Sequence, residues 1–456
     1  MKKETTRTPL GVKSWIGFIL VGLIGQLAWA IENQYINLYV YSQTGDASYI
    51  NYMTTFSAIV AALTTLVIGP LSDKYGKRKP VIAIGYMLWG VSVALFGVAC
   101  FPVLEKTGMQ PSQAMIWVGI LNVIIDCVMT LFGSTSNDAC YSSYITDQTD
   151  KTNRPLVESV ISIMPLIALA LMMGLGLILG VPGSKMDEES QTEFASRIAL
   201  PWLYFFIIAG ALTFIVGIAS FFLLNKDKVE IKRDDGFIKN FVYGFRISSI
   251  KENKKFYLCL LCFFFFNIAI DSFLPYYLVY FQEGLRIGGL NFYLVMGIIL
   301  ILSSIFTIII GIFMEKIGKG KILFASIAIL SISSLALYFV NEIIGATIAG
   351  VFLMSAYLIG TSVLGVSLRD TTPKDKVGSL QGVRMIMAVM LPMIIGSNIA
   401  LAVFSSQYVN EFGNVASMPD KNMFLVTLVA SILTFAPAYF LFCFKKKDKT
   451  STGSSN

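Results

Sequence analysis

The chain has 456 residues, of which 55% are hydrophobic and 14% charged, with a mean hydropathy of +0.70. Such a balance excludes an ordinary soluble multidomain protein and makes a lipid bilayer the main solvent. The net charge of +7 invites comparison with nucleic-acid binders, but its distribution along the chain argues against that partner.

A helix needs ~20 apolar residues to cross the hydrocarbon, and twelve such segments follow one another. The first six run roughly 14–40, 49–69, 80–101, 113–140, 156–180 and 199–224; the second six run 254–282, 290–314, 321–340, 344–368, 378–404 and 422–444. The first is too long, and wrongly flanked, for a cleaved signal peptide. An even number of crossings puts both termini on one side. Of the 35 Lys and Arg residues, 29 fall in the termini and alternate loops, and only Lys106, Lys185, Arg197, Arg286 and Lys421 in the opposite loops. The termini are therefore expected to be cytoplasmic, the charge reflecting topology and anionic lipid. The predicted fold is an all-α membrane protein with a six-helix bundle over 14–224, a cytoplasmic linker over 225–253 and a second six-helix bundle over 254–444.

The six Cys residues all lie in or beside these segments, so disulfides between outer loops are not indicated. Cys259 and Cys262 form a CxxC within an apolar helix, where packing is the ordinary explanation. His is absent. A metal site is not expected, and any proton relay has to use carboxylates.

Polar groups inside the spans are the informative ones, because a carboxylate near the bilayer centre costs at least ~2.5 kcal/mol and seeks a cavity or a partner. Helix one, in "GQLAWAIENQYINLYV", carries Trp29, Glu32, Asn33 and Asn37. Helix four, in "GILNVIIDCV", places Asn122 and Asp126 on one face, and helix seven, in "FFNIAIDSFLPYY", does the same with Asn267 and Asp271. Helix ten offers Tyr357 and Thr361. Carboxylates and amides among aromatic rings suit a hydroxylated ligand, although each buried Asn could equally clasp two helices. Arg384, some seven residues into helix eleven, stays charged and needs a partner: it either snorkels to the cytoplasm or pairs with Asp138 or Glu158.

Two loops repeat. "GPLSDKYGKRK" after helix two and "GIFMEKIGKGK" after helix eight share the spacing of Gly69, Asp73, Gly76 and Lys77 with Gly311, Glu315, Gly318 and Lys319; "TDQTDK" at 146–151 and "RDTTPK" at 369–374 follow the fourth helix of each half. Gly69-x-Leu71-Ser72-Asp73-x-x-Gly76-x-Arg78 resembles the signature loop of the major facilitator superfamily, and the likeness extends over all twelve helices. That resemblance implies two pseudo-symmetric bundles that rock about a central cavity lined by helices one, four, seven and ten, and it carries the family's gating role to Asp73; Glu315 in the second half, and Asp138, Glu158 and Arg384 from their charge and position, are the further gate candidates. "YSSYITDQTDKTNR" and "LRDTTPKDKVGSLQGVRM" resemble loops of the glycoside-pentoside-hexuronide:cation symporters and their sucrose-transporter-like relatives.

The expected function is therefore a proton-coupled symporter of a glycoside or disaccharide. Trp29, Glu32, Asn33, Asn37, Asn122, Asp126, Asn267, Asp271 and Tyr357 are the expected substrate contacts, with Glu32 and Asp126 as proton carriers. Sodium is the alternative ion, but helix two lacks the acids typical of sodium-coupled members and would have to supply Thr54, Thr55, Thr64 or Thr65 alongside Asp126. A drug or lipid exporter of the same fold and a membrane sensor are the rival functions. No nucleophile with a base and no phosphate-binding loop suggests an enzyme. The expected state is a monomer without cofactor in a bacterial cytoplasmic membrane.

Overall fold

The computed structural model describes residues 10–443, apart from 151–152, 162, 184, 187–188, 228–242, 374–376 and 411–412. Most of the expected linker, and with it the junction between the halves, lies outside the described residues.

Among the described residues, eleven helices are long and apolar enough to span a bilayer. Helix one is Val12–Thr44, helix two Ser48–Tyr75, helix three Arg78–Phe96, helix four Pro111–Gln148 and helix six Gln191–Leu223. Helix seven is Lys254–Gly284, helix eight Gly289–Ile317, helix nine Lys319–Phe339, helix ten Ile343–Thr371, helix eleven Gly382–Val403 and helix twelve Met423–Phe442. The fifth segment differs from expectation by being divided into Arg154–Ile161 and Met164–Leu179. Pro165, at the start of the second piece, has no N–H to give the turn before it, so the helix restarts there. Large apolar side chains such as Phe222 and Ile332 face outward, as lipid contact requires. The chain is a multi-pass integral membrane protein.

Small residues set the closest crossings. A Cβ on Gly90 of helix three would come within 2.5 Å of the Gly210 carbonyl oxygen of helix six, and one on Gly210 within 2.5 Å of the Gly90 oxygen. The two backbones therefore touch, in the manner of small-residue contacts between membrane helices.

Among the described residues, four spans contain π-helical stretches: Ile31–Ile36, Ser134–Tyr141, Tyr280–Gly284 and Ile386–Met390. Each inserted residue turns the following side chains by ~100° about the axis. Helix seven is also interrupted, its α-helical part ending at Asp271 before a 3₁₀ turn over Leu274–Tyr276. Pro275 accounts for the break, since its ring clashes with the carbonyl of the residue four earlier, which is Asp271.

The repeated loops are also structural repeats. Gly76 and Gly318 end helices two and eight with positive φ of 60° and 96°, which glycine tolerates best. In the first half Arg78 pairs with Asp147 at 3.1 Å; in the second Lys319 pairs with Asp370 at 2.6 Å. Asp147 and Asp370 hold the same place in the second pair of echoing motifs, so each half ties its basic loop to the end of its own fourth helix.

At the end away from both termini, the outer end in the positive-inside reading, contacts join the two halves. A hairpin of β1 (Gln407–Val409) and β2 (Val415–Ser417) follows helix eleven. The Tyr408 hydroxyl donates to the Gly45 carbonyl at 2.6 Å, Ala47 N–H to the Ser417 carbonyl at 2.8 Å, and Ser417 N–H to Asp46 at 3.1 Å. Deeper in, the Asn51 amide of helix two donates to Asn398 of helix eleven at 3.0 Å, and Asn398 to Thr55 at 3.0 Å.

Candidate functional site

Between the halves lies a chamber lined by Glu32, Asn33, Asn37, Asp126 and Asp271 together with Met53, Thr54, Ser57, Leu274, Pro275 and Met393. Three expected acids from three helices thus share one cavity. Thr130 donates to Glu32 Oε1 at 2.8 Å, and Ser57 faces Asp126. Glu32 Oε2 and Asp126 Oδ1 are buried and find no hydrogen-bond partner among the described residues. Among the described residues no basic side chain lines the chamber with these two carboxylates. Such a pair favours a cation or a hydroxyl donor between or beside its members.

The π-helical turn of helix one explains Asn33 and Asn37. Asn33 Nδ2 donates to the Trp29 carbonyl at 2.8 Å and Asn37 Nδ2 to the Asn33 carbonyl at 3.3 Å. The amides occupy backbone acceptors in the widened turn, which leaves their Oδ1 atoms for the chamber. Trp29 lies a turn away, its ring edge-on to Trp89 with centroids 5.1 Å apart, and it faces Asp138 together with Ser134.

Several expected contacts stand elsewhere. Asn122 is fully buried and donates to the Ala99 and Val118 carbonyls at 2.9 and 2.8 Å. It is a clasp at the end of helix three and not part of the chamber lining. Asn267 donates to the Ala388 carbonyl in the π-helical part of helix eleven, again outside the lining. Tyr357 of helix ten stands near Asp271 without lining the chamber. The lining of the acid chamber itself comes from helices one, two, four, seven and eleven. Depth along a helix was legible in the sequence, whereas rotation about its axis was not.

Among the gate candidates, Asp138 accepts from the Asn137 amide at 3.1 Å. Arg384 is exposed, with no ion-pair partner among the described residues, so the expected Arg384–Asp138 pair is not formed here. Asp73, Glu158 and Glu315 fall in helix two, the first piece of helix five and helix eight, and their side chains lie outside the described residues.

Thr130 and Ser57 were missed by sequence reasoning. Thr130 had a signal, since Asn122, Asp126 and Thr130 form one i, i+4 row; Ser57 had none beyond its place in an apolar helix.

Two helical halves around a polar chamber at mid-span define a membrane carrier. The profile of the Major Facilitator Superfamily matches residues 15–397, and the chain belongs to that superfamily. Among solved structures it is similar to a D-xylose-proton symporter, with 14% identity, a TM-score of 0.70 and 96% of this chain and 99% of that chain covered. It is also similar to the nucleoside transporter NupG, with 15% identity, a TM-score of 0.63 and coverage of 96% and 100%. A third is the xylose transporter XylE from E. coli in a partially occluded inward-open conformation, with 12% identity, a TM-score of 0.65 and coverage of 95% and 100%. At these identities the likeness is one of fold. No curated protein matches the chain in sequence.

Proposed function

We propose that this transporter is a proton-coupled symporter of a glycoside or disaccharide, working by alternating access. The observation that carries the reading is the convergence of Glu32, Asp126 and Asp271 with Asn33, Asn37, Thr54 and Ser57 in one chamber between the halves. Carboxylates accept, amides and hydroxyls do both, and together they match the hydroxyl groups of a sugar. With no His in the chain, Glu32 and Asp126 are the groups that take up and release the proton. If proton and sugar both favour the same occluded state, their binding is coupled by linkage. Asp271 comes from the other half, so a sugar bound to it and to helix one bridges the two bundles. The outer contacts through Tyr408, Asp46 and Asn398 then part when the chamber opens outward, and Arg384 with Asp138 or Glu158 serves as an inner gate pair in that state, with Asp73 and Glu315 as the gate groups of the two repeated loops.

Sodium is the second reading, favoured by one observation: Thr54 and Ser57 of helix two share the chamber with Asp126, and hydroxyl with carboxylate oxygen suits a hard cation. Cells expressing the protein in weakly buffered medium distinguish the two. Addition of the transported sugar is expected to raise the external pH, and Glu32→Gln or Asp126→Asn to abolish that rise. Uptake that requires sodium and gives no pH signal overturns proton coupling; efflux of an apolar drug without sugar uptake overturns the substrate class.

A further inference from the structure

The first helix of each half carries a further echo, which the chamber does not use. Glu32, Val40, Tyr41, Gln43 and Gly45 of helix one recur at the same spacing as Asp271, Val279, Tyr280, Gln282 and Gly284 of helix seven. Gln43 and Gln282 are thus counterparts at the outer ends of their helices, both buried, at 0% and 5% exposure. Their amides are used differently.

Gln43 is satisfied within its own half. Its Nε2 donates to the Ala195 carbonyl of helix six at 3.1 Å, and its Oε1 accepts from the Phe101 N–H at 3.0 Å. Phe101 opens a short helix, Phe101–Glu105, in the connection between helices three and four. The second half lacks such a connection, because Val340, Asn341 and Glu342 alone separate helices nine and ten. Gln282 Oε1 accordingly has no hydrogen-bond partner among the described residues. Its Nε2 meets the neighbouring Glu283 carboxylate at 3.1 Å and also donates across the halves, to the Gly183 carbonyl in the segment after helix five. A buried amide oxygen left unpaired is costly, so Gln282 is poorly suited to holding its own half together and well placed to hold the other.

Helices five and eleven are counterparts too, each the fifth of its half. The segment after helix eleven carries Tyr408, whose hydroxyl donates at 2.6 Å to the Gly45 carbonyl at the end of helix one. From the segment after its fifth helix, each half therefore grips the end of the other half's first helix. We propose that these are two matched latches of the outer gate, Tyr408 on Gly45 and Gln282 on Gly183, and that outward opening releases both in one rigid movement. Gln282 makes the weaker latch, because water admitted on opening satisfies the oxygen that closure leaves unpaired.

The test needs neither sugar nor a proton gradient, so failure of the sugar reading leaves its outcomes untouched. In intact cells an impermeant thiol reagent added outside labels Met53→Cys, at a position that lines the chamber and is 2% exposed in this outward-closed arrangement; cells without that cysteine give the background. Gln282→Glu keeps the size of the side chain but sets a carboxylate against the Gly183 carbonyl, and should raise the labelling rate at least roughly tenfold, the factor that about 1.4 kcal/mol supplies. Gln282→Met removes the donor together with the unpaired oxygen and should raise it less, by roughly threefold. Combined with Tyr408→Phe, Gln282→Met should give the product of the two single factors, since both contacts then bias one closed state. Gln43→Met, the counterpart, should lower the thermal midpoint in detergent and leave labelling unchanged. Labelling indifferent to both Gln282 variants at normal surface abundance overturns the latch. A double variant that gives only the sum of the single effects overturns the single movement, and Gln43→Met raising labelling as much as Gln282→Met overturns the distinction between the counterparts. If Gln282→Glu does not reach the cell surface, Gln282→Met decides alone.

Discussion

Asp271 is held in the chamber by a backbone that has almost no freedom to move, and Gly396 is the reason. A Cβ added to Gly396 of helix eleven would lie 2.8 Å from the Ile268 carbonyl oxygen, 3.0 Å from the Asp271 carbonyl carbon and 3.0 Å from the Ser272 nitrogen, whereas ordinary contact begins at 3.4 Å. Gly396→Ala must therefore push the end of the α-helical part of helix seven away by roughly half an ångström, and overpacking of this kind costs ~1–3 kcal/mol. Alanine also gains ~0.5–1 kcal/mol over glycine within a helix, which would mask part of the loss. Gly365→Ala in helix ten supplies the control, because a Cβ there meets nothing within 4 Å. Subtracting the two cancels the helical gain and isolates the contact. The Gly396 variant should be less stable than the Gly365 variant by ~1–3 kcal/mol, read as a lower thermal midpoint in mild detergent. Its affinity for the transported sugar should fall by up to roughly 100-fold if the strain is relieved wholly at Asp271. Two variants with the same midpoint and the same affinity would refute the claim that this crossing positions the acid.

The outer hairpin gives a second expectation. Tyr408→Phe and Asp46→Ala each remove hydrogen bonds between the halves, worth about 0.5–1.5 kcal/mol apiece, and should raise the rate at which an impermeant thiol reagent reaches Asn51→Cys by up to roughly tenfold; unchanged labelling would show that the hairpin does not hold this end shut. On the opposite end, Arg78→Ala should be strongly destabilising, by ~3–5 kcal/mol, because it removes the guanidinium from a largely buried ion pair with Asp147. The double variant Arg78→Ala, Asp147→Ala should recover part of that loss, and additive losses would argue against direct pairing. Glu189 in the loop before helix six accepts from Arg197 at 2.7 and 2.8 Å, and that hydrogen bond holds its carboxyl below the usual range. A depressed folded value means the contribution is complete above the unfolded value of about 4.3 and lost as pH falls through the folded one. Protease resistance of this loop should thus be flat from neutral pH to about pH 5 and decline below about pH 4, with Glu189→Gln flat throughout.

Eleven of the twelve expected spans, and the acids within them, were legible because lipid imposes its terms one residue at a time: a long apolar run, and a carboxylate whose cost demands shelter. The repeated motifs were legible too, and their ion pairs, Arg78 with Asp147 and Lys319 with Asp370, join segments that had been recognised separately as echoes. Asn122 shows the limit. It sits one turn from Asp126 on the same face of helix four, yet its amide is spent on the Ala99 carbonyl while Asp126 reaches the chamber. Helix ten shows it again: it was expected at the acid chamber, yet none of its described residues lines it.

Sequence alone thus located the apolar helices and the polar groups along them, although the fifth proves to be divided into Arg154–Ile161 and Met164–Leu179. It left open which way those groups point. Direction depends on the π-helical turns in helices one, four, seven and eleven, on the break that Pro275 forces beside Asp271, and on glycine contacts such as Gly396 against helix seven. Each is a rotation or close approach set by a neighbouring helix, and periodicity along a single strand of sequence carries no record of its neighbour.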